Sequence, residues 1–222
     1  MATVVTYKYI KQNPDIMTYI RRADQALASL GFTEHSFPHV EKVAEVAAMI
    51  LTELGYDQRT AELARIAGIM HDIGNVINRT DHAQSGAVMA FRLLDKLSMP
   101  AEEICSIVSA IGNHDEATAQ PLDPISAALI IADKTDVRRS RVRNRDKTTF
   151  DIHDRVNYSV KKSDLKINGE HTLIKLELSV DTEYGSIMDY FEIFMQRMIL
   201  CRKAAEKLGL QFKLAINDQQ LI

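Results

Sequence analysis

The stretch Gly68-Ile69-Met70-His71-Asp72-Ile73-Gly74 decides the reading of this chain. An adjacent histidine and aspartate close a run apolar enough to require burial, and a buried carboxylate without a partner is strongly unfavourable. Working back, His71 continues the apolar stripe of Ala64, Ala67 and Gly68, on a helix that the pattern starts near Asp57. Other stripes end in the same way. His39 is in register with Val43, Val46, Ala47 and Ile50, His82 leads into Gly86, Met89, Ala90 and Leu93, and His114 follows Ile104, Ile107 and Ile111. Asp133 continues Ser126, Leu129 and Ile130. Singly, His82 or His114 reads as a hydrogen-bonded core or helix-end histidine, and Asp133 as the partner of a nearby arginine. Together, these inward imidazoles and carboxylates would need many separate partners, whereas one metal centre satisfies them all. His35 lacks the register and reads as a surface or rim residue, with contact to substrate as the lesser alternative; His153 and His171 are assigned no role.

The helices that carry these stripes are bounded by ordinary signals. Asn13-Pro14-Asp15 starts one that Gly31 stops, Ser36 and Pro38 start a second that ends at Gly55, and Asp81 caps one reaching about Leu97. Pro100, followed by Glu102 and Glu103, opens the next, and Asp123-Pro124 opens the helix through Ile130. Residues 1–12 read as a short strand or an ordered tail. After a basic run of Arg138, Arg139, Arg141, Arg143, Arg145 and Lys147, a weakly patterned connection extends to about Val160. Leu165 and Ile167 then precede Asn168-Gly169, a tight-hairpin signal, and Ile174, Leu176, Leu178 and Val180 alternate as a half-buried strand. A long helix from about Gly185 to Leu208 and a strand at Phe212, Leu214 and Ile216 complete the pattern. The expected fold is therefore mainly α: a helical domain over residues 1–147 and a small C-terminal β-β-α-β appendage over 148–222 that completes the core or forms a dimer surface.

Bulk properties bound the function. The chain of 222 residues is 46% apolar and 26% charged, as in an ordinary soluble domain, and its net charge of -3 argues against general nucleic-acid binding. No apolar run approaches a membrane span, and no signal-peptide core opens the chain. Cys105 and Cys201 lie in apolar helical settings without metal or disulfide spacing, as structural thiols of a cytoplasmic protein do.

His39, the doublet His71-Asp72, and Asp133 resemble the H…HD…D signature of the HD-domain superfamily of metal-dependent phosphohydrolases over roughly residues 35–140. His82 and His114 stand where its two-metal branches add histidines. The diadenosine tetraphosphate hydrolase branch looks closest, since Ala132-Asp133 is followed by Asp136 and Arg138-Arg139. The cyclic-dinucleotide phosphodiesterase branch is disfavoured by Asn75, where it carries lysine, and by Asn113-His114 in place of paired histidines. The resemblance implies two divalent ions bridged by Asp72, with His39, His71 and Asp133 completing one site and His82 and His114 the other. Mixed imidazole and carboxylate ligands suit iron, manganese, cobalt or zinc; the resemblance favours iron or manganese, with zinc, cobalt or magnesium as alternatives. The expected activity is hydrolysis of a phosphoester or phosphoanhydride of a nucleotide or other small phosphorylated molecule. Asp72, Lys134 and Arg139 are the expected catalytic residues, and Lys134, Asp136, Arg138 and Arg139 the expected substrate contacts. The basic run reads either as a solvated segment or as a collar for a polyanionic substrate. A di-iron oxygenase and a non-catalytic ligand-sensing module share this ligand set and stand as alternatives.

Overall fold

Nine helices and four short strands make up the computed structural model, which describes residues 4–221. Helix α1 (Tyr7–Gln12) is capped by the Thr6 hydroxyl, which accepts from the Tyr9 N–H; the expectation of a strand or tail is corrected there, and its residues 1–3 lie outside the described residues. Helices α2 (Pro14–Ser29), α3 (Phe37–Glu53) and α4 (Gln58–Met70) follow the signals read from the sequence, with Asn13 and Asp57 accepting first-turn N–H groups. Gly31 and Gly55, at φ of 84° and 81°, end the first two of these.

Helix α5 (His82–Lys96) begins after Asp81, but Asp81 makes no capping hydrogen bond and instead turns the chain at a left-handed φ of 57°. Helices α6 (Ala101–Gly112) and α7 (Pro124–Lys134) complete the bundle, α7 with a reciprocal capping box between Asp123 and Ser126.

Helices α3 and α4 pack face to face, and Gly68 permits the approach. A Cβ on Gly68 would stand 2.6 Å from the Ala44 Cα. Helix α7, apolar nearly all round, lies against α3 on one side.

The C-terminal segment differs from the sequence reading in three places. Residues Ile152–Ser159 form helix α8, capped by Asp151, where a structureless connection was expected; with only two turns, its apolar period is too short to stand out. Strands β1 (Val160–Ile167) and β2 (Leu173–Val180) pair antiparallel, but Asn168-Gly169 is not a two-residue turn. Five residues connect the strands; the Asn168 side chain accepts from Thr172 and Leu173 N–H, and His171 takes the left-handed position at φ 52°. After helix α9 (Ile187–Lys207) and β3 (Gln211–Ile216), parallel to β2, a short β4 (Gln219–Gln220) pairs with β3. Sheet order is β1-β2-β3-β4.

Helix α9 lies between β3 and α7, so the buried apolar cluster continues from the bundle into the sheet. Cys201 is buried in that contact. Cys105, expected to be a buried structural thiol, is exposed on α6. No described helix is long and apolar enough to cross a membrane.

Substituting Gly68→Ala forces α3 and α4 apart, because the clash is with backbone and not with a flexible side chain. A loss of about 1–3 kcal/mol in urea unfolding is expected; an unchanged midpoint would contradict this packing.

Candidate metal centre

The ends of the bundle helices deliver the ligands. His71 caps α4 and His114 follows α6, and each donates its Nδ1–H to the carbonyl three residues back, Gly68 at 2.7 Å and Ile111 at 2.6 Å. These carbonyls belong to the last turn of their helix, where intrahelical partners run out. His82, first residue of α5, points Nδ1 at the Arg79 carbonyl at 3.0 Å, and His39, in the first turn of α3, points Nδ1 at the Asp136 carboxylate at 2.8 Å. With every Nδ1 held by an acceptor, all four Nε2 atoms turn inward. The rings are almost wholly buried, at 0% exposure for His39 and His71, 2% for His82 and 1% for His114.

Asp72 stands among them with its two oxygens divided. Oδ2 lies 3.3 Å from His71 Nε2 and 3.8 Å from His39 Nε2, while Oδ1 lies 3.4 Å from His82 Nε2 and 4.0 Å from His114 Nε2. Asp133, in the last turn of α7, places Oδ1 at 3.3 Å from His39 and 3.7 Å from His71. The six residues of the ligand pattern thus share one interior, in overlapping groups: His39, His71 and Asp72; His71, His114 and Asp133; and Asp72, His82 and His114.

Two features fit this pocket to a divalent cation. The buried Nε2 atoms of His39 and His71 make no hydrogen bond despite the nearby carboxylates, a costly arrangement that a metal ion would relieve. Imidazole nitrogens and carboxylate oxygens with no thiolate are also the donor set for such an ion.

Neighbours fix the ligands. Asn75 donates from Nδ2 to the Asp72 carbonyl at 3.0 Å and to its Oδ1 at 2.9 Å. Gly74 lets the turn after Asp72 lie directly on α5, since a Cβ there would stand 2.0 Å from the His82 carbonyl. Asp136 is a wholly buried anchor: beyond His39 it meets Lys42 Nζ at 2.9 Å and Arg138 Nε at 2.8 Å. Burial would push its acidity down, but His39, Arg141 and Arg138 hold its carboxyl well below the usual range. Asp136, an expected substrate contact, is thus buried behind His39, whose ring it orients.

The basic run disperses in the same way. Arg138 bonds Asp136 and faces Glu34; Arg139 turns to the Tyr158 carbonyl at 2.6 Å and to Asp181 at 3.2 Å; Arg143 pairs with Asp24. Arg139, expected to be catalytic, here ties the basic loop to α8 and the residues after β2. Arg138, an expected substrate contact, brackets Asp136. Lys134, expected to be catalytic and to contact substrate, lies beside the ligands. Its Nζ lies 2.7 Å from Asp133 Oδ2 and 3.4 Å from Glu116, at the small hollow over the ligands.

Other residues also line this hollow: Arg79, Arg141, Arg197 and His35. Arg197 comes from α9, where Glu116 holds it at 2.6 Å. A cation between Phe194 and Met198 on an otherwise buried stripe was its visible signal. Arg141 sat within the basic run without distinction, and Arg79 in a loop with no pattern at all. His35, rated a rim residue, packs edge-on to His39 at 5.4 Å, and burial with Arg141 nearby holds its pKa well below the usual histidine value.

The imidazoles differ in charge. Burial alone would depress His71, but Asp72 and Asp133 overcome it and raise its pKa to about 10. Burial, the charge of His71 and Lys134 push His114 down to about 3. In the metal-free protein His71 is thus a cation balancing two carboxylates. Its folded value exceeds the unfolded one, so its contribution to stability is complete below about pH 6.5 and is lost as pH rises through about 10. A metal must displace that proton. Titrating metal-stripped protein with manganese in buffers of different ionisation enthalpy should show proton release and an affinity that rises with pH; constant affinity between about pH 7 and 9 would contradict it. Asp136→Asn, which leaves every direct ligand in place, should weaken metal binding by roughly 10–100-fold with helicity retained by circular dichroism.

The family model described as the HD domain matches residues 37–138, from the start of α3 to just past α7. An uncharacterized protein of Methanocaldococcus jannaschii is 22% identical over 202 residues, covering 81% of this chain and 77% of its own length. A crystal structure of a predicted HD superfamily hydrolase from an uncultured Thermotogales bacterium is 26% identical, with a TM-score of 0.44 over 56% of this chain and 67% of that one. The match to the HD-domain model ends at residue 138, and the C-terminal segment lies outside it.

Proposed function

We propose that this chain is a metal-dependent phosphohydrolase that uses two divalent ions to cleave a phosphoester or phosphoanhydride of a small phosphorylated molecule. The observation that carries this reading is the division of Asp72, whose Oδ2 faces His39 and His71 while Oδ1 faces His82 and His114. A carboxylate so placed is suited to bridging. His39, His71 and Asp133 would hold one ion and His82 and His114 the other. Divalent ions in such a site supply Lewis acidity and bring the pKa of a bound water toward neutrality.

The chain's own residues provide the rest. Arg79, Arg141 and Arg197 converge on the hollow beside Asp72 and Asp133, where they would neutralise and orient the phosphoryl oxygens. Arg141 is locked by the Glu34 carbonyl at 2.9 Å and the Asp136 carbonyl at 2.7 Å, so its orientation costs no rearrangement when substrate arrives. Lys134, buried between Asp133 and Glu116, stays charged because those carboxylates outweigh the burial. It is placed to offset the charge gathered on the phosphoryl group. Asn75 keeps the Asp72 carboxylate from rotating.

Anaerobically purified protein should contain iron, manganese or zinc, and should release phosphate from p-nitrophenyl phosphate when one of these is added. Asp72→Asn should lower that rate by about 10²–10³-fold or more and reduce metal content in parallel. Absence of phosphate release with every metal, together with oxygen uptake and a mixed-valent iron signal, would replace this reading with the di-iron oxygenase. Retention of metal and activity by His71→Ala would remove the site assignment altogether.

A further inference from the structure

Outside the ligand hollow the chain has a larger cleft, and its charges are sorted. The hollow itself offers about 20 Å³ over Asp72 and Asp133. It shares His35, Arg79, Arg141 and Arg197 with an outer cleft of about 410 Å³, a size typical of small-molecule sites. Every arginine of the cleft belongs to that shared inner end. The remaining wall, built by α8, the loop after α2 and Phe194 of α9, carries Asp151, His153, Asp154 and Asn157 with the aromatic rings of Phe32 and Phe194. The two rings are each covered by an arginine of the inner end, Arg79 over Phe32 at 5.6 Å and Arg197 over Phe194 at 4.7 Å.

The outer wall presents acceptors. Asp151 uses one oxygen for the Asp154 N–H, and Asp154 receives only Asn144, at 3.3 Å, leaving free lone pairs on both carboxylates among the described residues. Asn157 donates its Nδ2 to the His153 carbonyl, which leaves its amide oxygen as an acceptor. A second or third phosphate placed there would face two carboxylates and the His153 imidazole, with no lysine or arginine. An organic group with hydroxyl or amino donors would be matched.

We infer that the C-terminal segment is the specificity wall of this site, and that the cleft takes a phosphomonoester whose organic group bears hydrogen-bond donors in preference to a linear polyphosphate. The inference rests on the phosphohydrolase reading for the position of the phosphate. Arg197 is then a phosphate-binding residue contributed from outside the HD domain, positioned by Glu116, and Asp154 sets the preference at the far end. This runs against the polyanion collar that the basic run suggested, because Arg138, Arg139 and Arg143 are engaged in structural pairs and do not line the cleft.

The test is calorimetric binding to the full chain loaded with manganese, using glucose 6-phosphate, phosphoethanolamine, butyl phosphate and inorganic tripolyphosphate, with phosphate release followed in the same solutions. Glucose 6-phosphate or phosphoethanolamine should bind at least tenfold more tightly than both butyl phosphate and tripolyphosphate. Whichever of the two binds better distinguishes hydroxyl from amine recognition. Arg197→Gln should weaken all the monoesters at least tenfold, and Asp154→Lys should shift the ratio toward tripolyphosphate, with Asp154→Asn intermediate; circular dichroism checks that each variant folds. Tripolyphosphate or butyl phosphate binding as tightly as the donor-bearing esters, or no binding by any probe, would overturn the inference, and the wild-type comparison decides this even if a variant fails to fold. The expected binding order without phosphate release under any metal would remove the hydrolase reading and leave the cleft assignment standing. Phosphate release without the expected order would do the reverse.

Discussion

Asp72 is the constraint on which the centre depends. A carboxylate at 5% exposure must be balanced, and here the charge of His71 stands against one oxygen while the Nε2 atoms of His82 and His114 face the other. Both oxygens must stay aimed, so the residues around the doublet are as restricted as the doublet itself. Asn75 clamps one oxygen and Gly74 presses the turn onto α5, which brings His82 within reach of the same atom. Gly68, three residues before His71, sets the closeness of α3 and hence the depth at which His39 enters. A short motif thereby controls helices that are remote in sequence.

The second layer is electrostatic. Asp136 collects His39, Lys42 and Arg138, and Glu116 collects Lys134 and Arg197. Burial opposes ionisation of both carboxyls, yet both are held low, Glu116 to about 2, because cations surround them. These two carboxylates orient the cations and ligands that line the site. They also tie it to parts of the chain beyond the bundle: Asp136 to the basic loop through Arg138, and Glu116 to α9 through Arg197.

That tie gives the C-terminal segment a physical role. Helix α9 packs on α7, and its buried residues include Tyr190, Phe194, Met198 and Cys201. The same packing carries Arg197 to the hollow and α8 to the cleft wall. Arg139 and Lys147 lie against the rings of Tyr158 and Tyr184, which pins the basic loop over this junction. A run that looked like a ligand collar is largely a fastening between segments.

The sequence by itself determined the helices and their inward stripes, because apolar periodicity and caps are local properties. Helix α1 and the two-turn α8 escaped it for the same reason, being too short to show a period, and the Asn168-Gly169 turn was misread because the Asn168 side chain organises a longer loop. His39, His71, Asp72, His82, His114 and Asp133 were legible as a set, since buried polar groups on five stripes can be reconciled only at a common partner. Which oxygen of Asp72 faces which pair was decided by tertiary structure alone, through the angles at which the helix ends meet. So were the turning of Arg139 away from the site and the arrival of Arg79, Arg141 and Arg197. A guanidinium on a long, flexible side chain carries no directional signal in sequence; its place is settled by the nearest carboxylate or carbonyl that folding presents to it.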